Sequence, residues 1–527
     1  MLSQGSAIVH FLLKVDMNGE YDFNSSILGQ QELEAYSPNI GEIEVRTKSR
    51  SLKIIRVHNR RVEVTHDCDR QIFVRIDASK KILLSSNPEL IFSDAQLFNT
   101  DYFAKFILGG ALPTSASPFN EIHFLSPGTF INADNLEVDF ARTKKPIERT
   151  FIDALNANIK EKISSHSRIA IEYSGGLESS ILLASVAHSG YRGSLELIHA
   201  TDTESGESDD LERVVAAASK YDATLNIIDQ RDFPPFEITH PLVRPHFPHA
   251  GLVNQGYIDS VIQKYGSERV LILNGSGGDS LFRSFPQNWL HLELLRAGKP
   301  LQAAKWLQQL SKYARTPIAP ILSRTWLNYL TAKSMVSDPG FHFSRKALME
   351  KIILPEFIPE SFLLRTPLLE ENTEISRHER YIDALVNRHE MLSSPVSALP
   401  GKCYFPFLTS DAIQAALSIP SDKLLNDGVD RFELRVQATK KYSTNSFWNL
   451  RKGSFSGLTQ RAIKRNRNAI EELIVNGEFG RIVDTDKVRK IIAGVASGVS
   501  LCPSFIINLY AANIFALQWR GRVLGAY

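Results

Sequence analysis

The sequence contains few cysteines and no paired cysteine motif. Only three cysteines occur among its 527 residues, at Cys68, Cys403 and Cys502. Cysteines this far apart lack the close spacing of a zinc site and provide no disulfide framework. Their scarcity is typical of a reducing compartment, so we expect a cytoplasmic protein without a cysteine-based metal centre.

The sequence also lacks a strong net charge, a secretory signal and an uninterrupted apolar run. A net charge of +2 argues against general nucleic-acid binding, and the first residues have no basic n-region. The most apolar stretch, 501–519, is interrupted by Pro503, Asn508, Asn513 and Gln518. This pattern favours a buried C-terminal helix over a membrane span. We therefore expect neither nucleic-acid binding nor direct membrane insertion.

No internal repeat or low-complexity tract is present, and the length favours two or more domains. A content of 43% hydrophobic and 22% charged residues is typical of a globular protein. Residues 1–145 are rich in short Val- and Ile-containing segments, which predict strands, and a helix is expected near 100–108. Lys144-Lys145-Pro146 is a plausible linker to a second domain, 146–527.

The region after the linker alternates predicted helices and strands. A helical pattern covers 147–163, and strands are expected at 169–173, 195–200, 224–228 and 269–273, with helices between them. This alternation predicts an α/β fold with a doubly wound parallel sheet. From Leu281 onward the pattern is mainly helical. Ligands of such sheets bind beyond the carboxyl ends of the strands.

A Gly-rich turn, Ser174-Gly175-Gly176-Leu177-Glu178-Ser179-Ser180, lies between the first of these strands and a helix. The two glycines allow close approach of a ligand to the backbone. The free N–H groups and positive dipole end of the following helix favour an anion. The serines add hydroxyl donors, and Glu178 places a carboxylate where a phosphate-bound metal ion could use it. The turn therefore predicts a phosphate site.

A second Gly-rich turn, Asn274-Gly275-Ser276-Gly277-Gly278-Asp279-Ser280, follows the fourth predicted strand. In a parallel sheet it would lie at the same edge as the first turn. Asp279 supplies a second carboxylate, and two carboxylates beside a phosphate site can hold Mg²⁺ against a polyphosphate. The pair of turns predicts a Mg–ATP site more strongly than either turn alone.

These motifs resemble those of the asparagine synthetase superfamily. The first turn resembles its Ser-Gly-Gly-x-Asp-Ser pyrophosphate loop, and the second falls where the family has a Gly-rich turn ending in a metal-binding Asp. Further similar segments are Ser208-Asp209-Asp210, Phe405-Pro406-Phe407-Leu408, 431–435 and Lys452-Gly453-Ser454-Phe455-Ser456. The resemblance implies an ATP pyrophosphatase domain with a helical C-terminal part, behind a degenerate, β-rich glutaminase-like (Ntn-type) domain at 1–145.

Three departures from the family pattern refine this expectation. Leu2 and Ser3 follow Met1, so the cysteine nucleophile of a working glutaminase is not expected. Ser276 stands where asparagine synthetases have Glu and β-lactam synthetases have Tyr. Glu178 stands where the motif has Asp, which keeps the charge but adds a methylene. The amine is then expected to come from the substrate, and the C-terminal region is most similar to lasso peptide cyclases.

The resemblance to lasso peptide cyclases implies a reaction and a set of residues. ATP would activate an Asp or Glu side chain of a core peptide, and the peptide's N-terminal amine would close a macrolactam. Lys452 and Asp279 are the implied catalytic residues, and Glu178 with Asp279 would hold Mg²⁺. The nucleotide would be bound by Ser174, Gly175, Gly176, Glu178, Ser179, Ser180, Ile198, Asn274 and Gly275. A leader peptidase and a leader-binding element are the implied partner proteins.

Alternative interpretations remain open from the sequence. An asparagine synthetase or β-lactam synthetase type of enzyme would act on a small amino acid, and a member with a decayed site would be non-catalytic. The basic run of Arg461, Lys464, Arg465 and Arg467 is slightly better explained as a solvated helix face than as part of a mobile active-site loop. No general base is evident, since His199, His246 and His249 are candidates by residue type alone.

Overall fold

The computed structural model describes twenty-two segments of the chain. They are residues 8–15, 21–28, 33–36, 42–47, 50–58, 61–66, 72–76, 82–85, 88–91, 98–108, 117–125, 129–132, 138–140, 149–202, 211–237, 244–266, 269–282, 290–323, 352–357, 403–449, 456–499 and 503–523. Several sequence predictions lie outside these segments, among them the linker at 144–146, the segment Ser208-Asp209-Asp210 and the catalytic candidate Lys452.

The N-terminal region is β-rich, as the sequence predicts. Its strands are β1 (Ile8–Val15), β2 (Tyr21–Leu28), β3 (Leu33–Tyr36), β4 (Glu42–Thr47), β5 (Arg50–His58), β6 (Arg61–His66), β7 (Ile72–Ile76), β8 (Ile82–Ser85), β9 (His123–Leu125), β10 (Thr129–Asn132) and β11 (Val138–Phe140). They form two antiparallel sheets with strand orders β2-β1-β8-β7-β9 and β11-β10-β6-β5-β4-β3. The helix α1 (Thr100–Ile107) lies between β8 and β9 in the chain.

A five-stranded parallel sheet carries the two Gly-rich turns, which confirms the predicted α/β fold. Its strands are β12 (Arg168–Glu172), β13 (Ser194–Thr201), β14 (Thr224–Asp229), β15 (Leu271–Leu273) and β16 (Cys403–Tyr404). The order is β14-β13-β12-β15-β16, so the two strands that lead into the turns, β12 and β15, are neighbours. The register pairs Ile171 with Leu273, and both turns therefore leave the sheet at the same level.

Helices cover both faces of this sheet. They are α2 (Phe151–Ile163), α3 (Leu177–His188), α4 (Leu211–Lys220), α5 (Gln255–Tyr265) and α6 (Gly278–Leu281). Alternate strand residues point to opposite layers: Ile169 and Ile171 pack with α2 and α3, whereas Ala170 packs with α5. Burial on both faces explains why these strands read as continuous apolar runs in the sequence.

The remaining described elements are mainly helical, as predicted. They are α7 (Leu290–Arg296), α8 (Pro300–Ala314), α9 (Ser410–Leu417), β17 (Leu425–Asn426), β18 (Val429–Asp430), α10 (Phe432–Tyr442), α11 (Ser456–Arg465), α12 (Arg467–Asn476), α13 (Thr485–Ala496) and α14 (Pro503–Val523). The helix α2 begins at Phe151 rather than at the predicted 147. Thr150 caps this helix, because its hydroxyl accepts a hydrogen bond from the Asp153 N–H at 3.2 Å.

The C-terminal helix shares a hydrophobic core with the N-terminal region. Trp519 of α14 packs edge-on against Phe119 at a centroid distance of 4.7 Å, and Phe103 of α1 stacks on Phe479 at 4.0 Å. Among the helices that the structure describes, none combines the length and apolar character needed to cross a membrane. The stretch 501–519 is therefore explained by burial within the protein, since Ile506, Leu509 and Phe515 are fully buried.

Candidate nucleotide and metal site

The first Gly-rich turn forms a compact set of serine hydroxyls at the start of α3. The Ser174 hydroxyl lies 3.3 Å from that of Ser179 and accepts a hydrogen bond from the Gly176 N–H, also at 3.3 Å. Gly175 has a φ of +75°, which favours glycine. Ser180 contacts the Tyr173 hydroxyl at 3.2 Å. The turn thus directs several hydroxyl groups to one end of the helix.

The N-terminus of α3 has no side-chain cap. Gly176 occupies the cap position, and no side chain accepts a hydrogen bond from the first-turn N–H groups at that position. Such N–H groups and the helix dipole favour an anionic ligand. The uncapped N–H groups and the serine hydroxyls are compatible with an anion, and the phosphate site stays a prediction.

The second Gly-rich turn packs directly on Glu178. A Cβ added to Gly278 would lie 2.4 Å from the Glu178 Cγ, and one added to Gly275 would lie 2.9 Å from the Glu178 Cβ. Gly277 has a φ of +94°, and a Cβ there would meet Leu408 at 2.4 Å. These glycines leave room for the additional methylene of Glu178, so the longer side chain is accommodated by the neighbouring turn.

A single guanidinium group bridges the two predicted metal ligands. Nη1 of Arg431 donates to Oε1 of Glu178 at 2.6 Å and also to Oδ1 of Asp279. Nε of the same arginine donates to Asp430 at 2.6 Å. Because both carboxylates contact one nitrogen, the structure brings Glu178 and Asp279 together at one point, and a cationic side chain occupies that point.

The electrostatics of Arg431 follow from this environment. Its side chain is 9% exposed, and burial alone would lower its pKa. The charges of Glu178, Asp430 and Asp279 outweigh burial and raise the pKa of Arg431 well above its usual value. The guanidinium is therefore permanently charged and acts as the counter-ion of the three carboxylates.

A short β-hairpin delivers Asp430 and Arg431 to the site. Strands β17 and β18 are joined by Asp427 and Gly428, whose φ values are +51° and +73°. Two consecutive positive φ angles are typical of a type I′ turn, for which Asp-Gly is a strong sequence signal. The sequence prediction assigned no role to Arg431, although the Asp-Gly pair at 427–428 could have indicated the hairpin.

Arg435 links this hairpin to the segment that precedes Lys452. Arg435 is 1% exposed, and its Nη2 lies 3.3 Å from Oδ1 of Asp430. Its Nη1 donates to the backbone oxygens of Phe447 and, at 3.4 Å, Asn449. Burial lowers the pKa of Arg435, although the charge of Asp430 opposes this effect. The chain immediately before the predicted catalytic lysine is therefore tied to the carboxylate cluster.

Lys452 itself lies outside the described residues, as do Ser208, Asp209 and Asp210. The helix that follows Lys452, α11, carries Arg461, whose Nη2 lies 2.5 Å from Oδ2 of Asp202. Asp202 follows the last residue of β13 and is 2% exposed. Of the predicted basic run, Arg461 is thus placed at the carboxyl edge of the parallel sheet.

The residues predicted to line the nucleotide differ in their surroundings. Ile198 is 1% exposed, and its carbonyl accepts a hydrogen bond from the Tyr173 N–H at 2.8 Å. The Asn274 amide donates to Glu172, and its Oδ1 accepts from the Ser276 N–H at 2.7 Å. Glu172 ends the central strand β12 and adds a carboxylate to this edge that the sequence prediction did not include. Asn274 therefore orders the second turn from within.

The histidine candidates for a general base are embedded in the fold. Nδ1 of His199 lies 2.9 Å from the Tyr173 carbonyl, and burial lowers its pKa despite that contact. His246 packs edge-on against Phe73. His249 is 5% exposed, and burial lowers its pKa to about 4. These environments favour structural roles for all three.

The carboxylates of Glu178 and Asp279 fit a magnesium ion by their chemistry and their closeness to one another. Glu178 and Asp279 direct an oxygen each to the same point, and carboxylate oxygens are the ligands that Mg²⁺ prefers. Within the described segments, no cluster of three or more His, Cys, Asp or Glu side chains could hold a metal ion. The remaining ligands would therefore be phosphate oxygens and water, as is usual for Mg²⁺ at nucleotide sites.

The chain is similar to one curated protein, the microcin J25-processing protein McjC of Escherichia coli. The two are 22% identical over 456 residues, which cover 82% of this chain and 77% of the relative. The match bears out the resemblance to the asparagine synthetase superfamily and its lasso peptide cyclases. No protein-family model matches the chain.

Among solved structures, the U34-tRNA thiolase NcsA from Methanococcus maripaludis, solved with its 4Fe-4S cluster, matches part of the chain. The match has a TM-score of 0.19 and 15% identity, and it covers 32% of this chain and 55% of the solved chain. Because this score is low, the match carries no argument about the fold or the site.

Proposed function

We propose, from its similarity to the microcin J25-processing protein, that this chain is an ATP-dependent lasso peptide cyclase. The observation that carries the proposal is the convergence of Glu178 and Asp279 beside the uncapped N-terminus of α3. This arrangement lies at the carboxyl edge of a parallel sheet, where such folds bind ligands. The motif resemblance and the match over 82% of the chain support the same function.

In the proposed reaction, a core-peptide Asp or Glu carboxylate attacks the α-phosphorus of ATP. The bond between the α-phosphorus and the oxygen that bridges to the β-phosphorus breaks, pyrophosphate leaves, and an acyl-adenylate forms. The hydroxyls of Ser174, Ser179 and Ser180, with the N–H groups of α3, would hold the pyrophosphate. Asn274 and Gly275 would line the nucleotide, together with the backbone around Ile198. When bound, Mg²⁺ would neutralise phosphate charge, with Glu178 and Asp279 as its protein ligands.

In the second step, the N-terminal amine of the peptide attacks the activated acyl carbon. The new C–N bond forms, the C–O bond to AMP breaks, and the amine gives up a proton to solvent water. Lys452 would stabilise the negative charge that develops in these steps. Holding amine and acyl group together in a folded peptide can contribute up to roughly 7–11 kcal/mol in ideal cases. The domain division near residue 145 and the partners, a leader peptidase and a leader-binding element, are part of this proposal.

The test is incubation of the purified protein with ATP and a leader-processed core peptide, followed by mass spectrometry. We expect AMP, pyrophosphate and a peptide that has lost one water. Lys452→Ala should abolish ring closure, whereas Lys441→Ala should retain it, because Lys441 forms an exposed ion pair with Asp153 away from the carboxylate cluster. AMP formed together with free asparagine or another small amide, with the peptide unchanged, would favour a small-molecule synthetase. Absence of nucleotide binding would favour a non-catalytic protein.

A further inference from the structure

Arg431 occupies the place that a divalent cation would take between Glu178 and Asp279. Its Nη1 contacts both carboxylates, so the guanidinium performs the bridging that a metal ion performs in a two-carboxylate site. The charges of Glu178, Asp279, Asp430, Arg431 and Arg435 sum to −1, from three carboxylates and two guanidinium groups. A cluster already neutralised to this extent attracts a free divalent cation only weakly.

The backbone holds Arg431 in an uncommon conformation. Its φ is +51° and its ψ is 32°, in the left-handed region that residues with a Cβ rarely adopt. This conformation places the side chain at the start of α10, and it persists because the hairpin and the helix fix it on both sides. A strained, buried arginine at the meeting point of two predicted metal ligands indicates a functional role rather than a surface ion pair.

The contacts of Arg431 fall into two groups that can separate. Nη1 contacts the predicted metal ligands, whereas Nε contacts Asp430 at 2.6 Å on the hairpin. Asp430 is held in turn by Arg435. The Arg435 Nη2 lies 3.3 Å from Oδ1 of Asp430, and the Arg435 Nε donates to the Asp430 backbone oxygen at 3.0 Å. If Nη1 leaves the carboxylates, Nε remains anchored. The guanidinium can therefore release Glu178 and Asp279 and still remain beside the phosphate site.

We propose that Arg431 is a built-in substitute for the metal ion and makes metal binding dependent on nucleotide. Without nucleotide, its guanidinium bridges Glu178 and Asp279 and excludes a free divalent cation. When a metal–nucleotide complex arrives, the metal takes the two carboxylates and the guanidinium moves to the phosphate oxygens while Asp430 retains it. The movement of the guanidinium to the phosphate oxygens rests on the proposed ATP function, whereas the exclusion of a free divalent cation does not.

The test measures Mn²⁺ binding without nucleotide or peptide, from the electron paramagnetic resonance signal of the free ion. Arg431→Met should bind one Mn²⁺ at least about tenfold more tightly than the wild type, because the two carboxylates then no longer share the guanidinium charge and attract the cation more strongly. Arg431→Lys keeps a positive charge and should remain close to the wild type. Lys441→Met, which removes an exposed cation paired with Asp153, is the matched control and should also remain unchanged. Adding Glu178→Gln to Arg431→Met should reverse the gain.

The proposal is overturned if folded Arg431→Met binds Mn²⁺ within twofold of the wild type. Circular dichroism establishes folding, and if this variant does not fold, the wild type decides. A wild-type dissociation constant below about 100 µM for one Mn²⁺ without nucleotide contradicts exclusion of the cation by Arg431, whereas a higher dissociation constant supports it. No ATP turnover enters this measurement, so failure of the cyclase assay and failure of the metal-exclusion proposal are separate results.

Discussion

At the scale of single residues, Glu178 connects the two Gly-rich turns. Its stem lies against Gly275 and Gly278, and its carboxylate contacts Arg431 at 2.6 Å. An Asp at this position would withdraw the carboxylate by one methylene from that contact. The longer side chain of Glu178, where the family motif has Asp, thus has room beside the two glycines and a cationic partner in Arg431.

The carboxylate of Glu178 is expected to be needed for ATP chemistry. Glu178→Gln keeps the shape but removes the charge, so AMP release should fall by roughly 10²–10³-fold, the range typical for loss of one electrostatic group at a reacting centre. The rate of AMP release with peptide and ATP measures this effect. Glu161→Gln, an exposed carboxylate of α2, is the control and should keep the wild-type rate. Full turnover by Glu178→Gln would remove this residue from the site.

The packing of the second turn on Glu178 can be tested at Gly278. In Gly278→Ala, the new Cβ would lie 2.4 Å from the Glu178 Cγ, so the side chain must move. We expect a loss of about 1–3 kcal/mol in the free energy of unfolding and weaker ATP binding. Chemical denaturation and nucleotide titration measure the two effects.

Gly256→Ala serves as a comparison for Gly278→Ala, because the nearest atom would be 3.3 Å away, in Phe233. Its effects on stability and ATP binding should be smaller. Equal ATP affinity in Gly278→Ala and the wild type would show that the turn tolerates a Cβ.

His249 is expected to make stability depend on pH. Burial lowers its pKa to about 4 from 6.5, so between these values the unfolded chain binds a proton that the folded chain does not. The stabilising contribution is complete above pH 6.5 and decreases as pH falls toward 4, by up to about 3 kcal/mol. Unfolding at a series of pH values should give a flatter profile for His249→Leu. Parallel profiles for the two proteins would contradict the assignment.

At the scale of structural elements, the hairpin of β17 and β18 positions the cations of the site. Its turn is held against α8, because the Gly428 N–H donates to Gln309 Oε1 at 3.2 Å and Lys312 contacts Asp427 at 2.6 Å. Its last residue, Asp430, and the following Arg431 reach the carboxylates. The orientation of this two-residue turn therefore determines where the Arg431 guanidinium lies relative to Glu178 and Asp279.

Gly428→Val should displace Arg431 without changing any residue of the site. The φ of +73° at this position costs a residue with a Cβ roughly 1–2 kcal/mol, and a Cβ would lie 3.0 Å from the Lys312 Cβ. We expect a lower thermal midpoint and at least about tenfold weaker ATP binding, since a displaced hairpin moves the Arg431 guanidinium away from its carboxylate partners. Calorimetry measures both quantities.

Asp427→Asn is the control for the hairpin, because Asn tolerates positive φ and the lost ion pair with Lys312 is exposed. Its stability and ATP affinity should remain close to the wild type. If Gly428→Val binds ATP as well as this control does, the hairpin does not position the site.

At the scale of the whole molecule, segments distant in the sequence share one hydrophobic core. Phe73, Phe103 and Phe119 from the N-terminal third lie in the same buried cluster as Phe515 and Trp519 of α14. The Trp519 Nε1 also donates to the Pro245 carbonyl at 3.0 Å. Pro245 follows strand β14 of the parallel sheet in the chain. The C-terminal helix therefore connects the N-terminal region to the parallel-sheet region.

Removal of the Trp519 side chain should destabilise the protein as a unit. Trp519→Ala leaves a cavity at a site that is 2% exposed and should cost about 3–5 kcal/mol. Leu517→Ala in the same helix is the matched control, since Leu517 is 52% exposed and should cost under about 0.5 kcal/mol. Denaturation followed by tryptophan fluorescence and circular dichroism measures both. An unchanged midpoint for Trp519→Ala would contradict the shared core.

The sequence by itself determined the elements of the parallel sheet and the two Gly-rich turns. Short continuous apolar runs and period-3.6 apolar patterns are local, so β12 to β15 and their helices could be predicted to within a few residues. Glycine, serine and carboxylate residues at the ends of two strands were enough to predict a phosphate and metal site, because the carboxyl ends of parallel strands share an edge.

Only the tertiary structure decided how the charges of the site are paired. Arg431 is 253 residues from Glu178 and 152 from Asp279 in the chain, and no local pattern relates positions so far apart. The same holds for Trp519 and Phe119, whose contact depends on the path of α14 across the molecule. Charge pairing and core packing depend on which elements become neighbours, and that depends on the fold as a whole rather than on any one stretch of sequence.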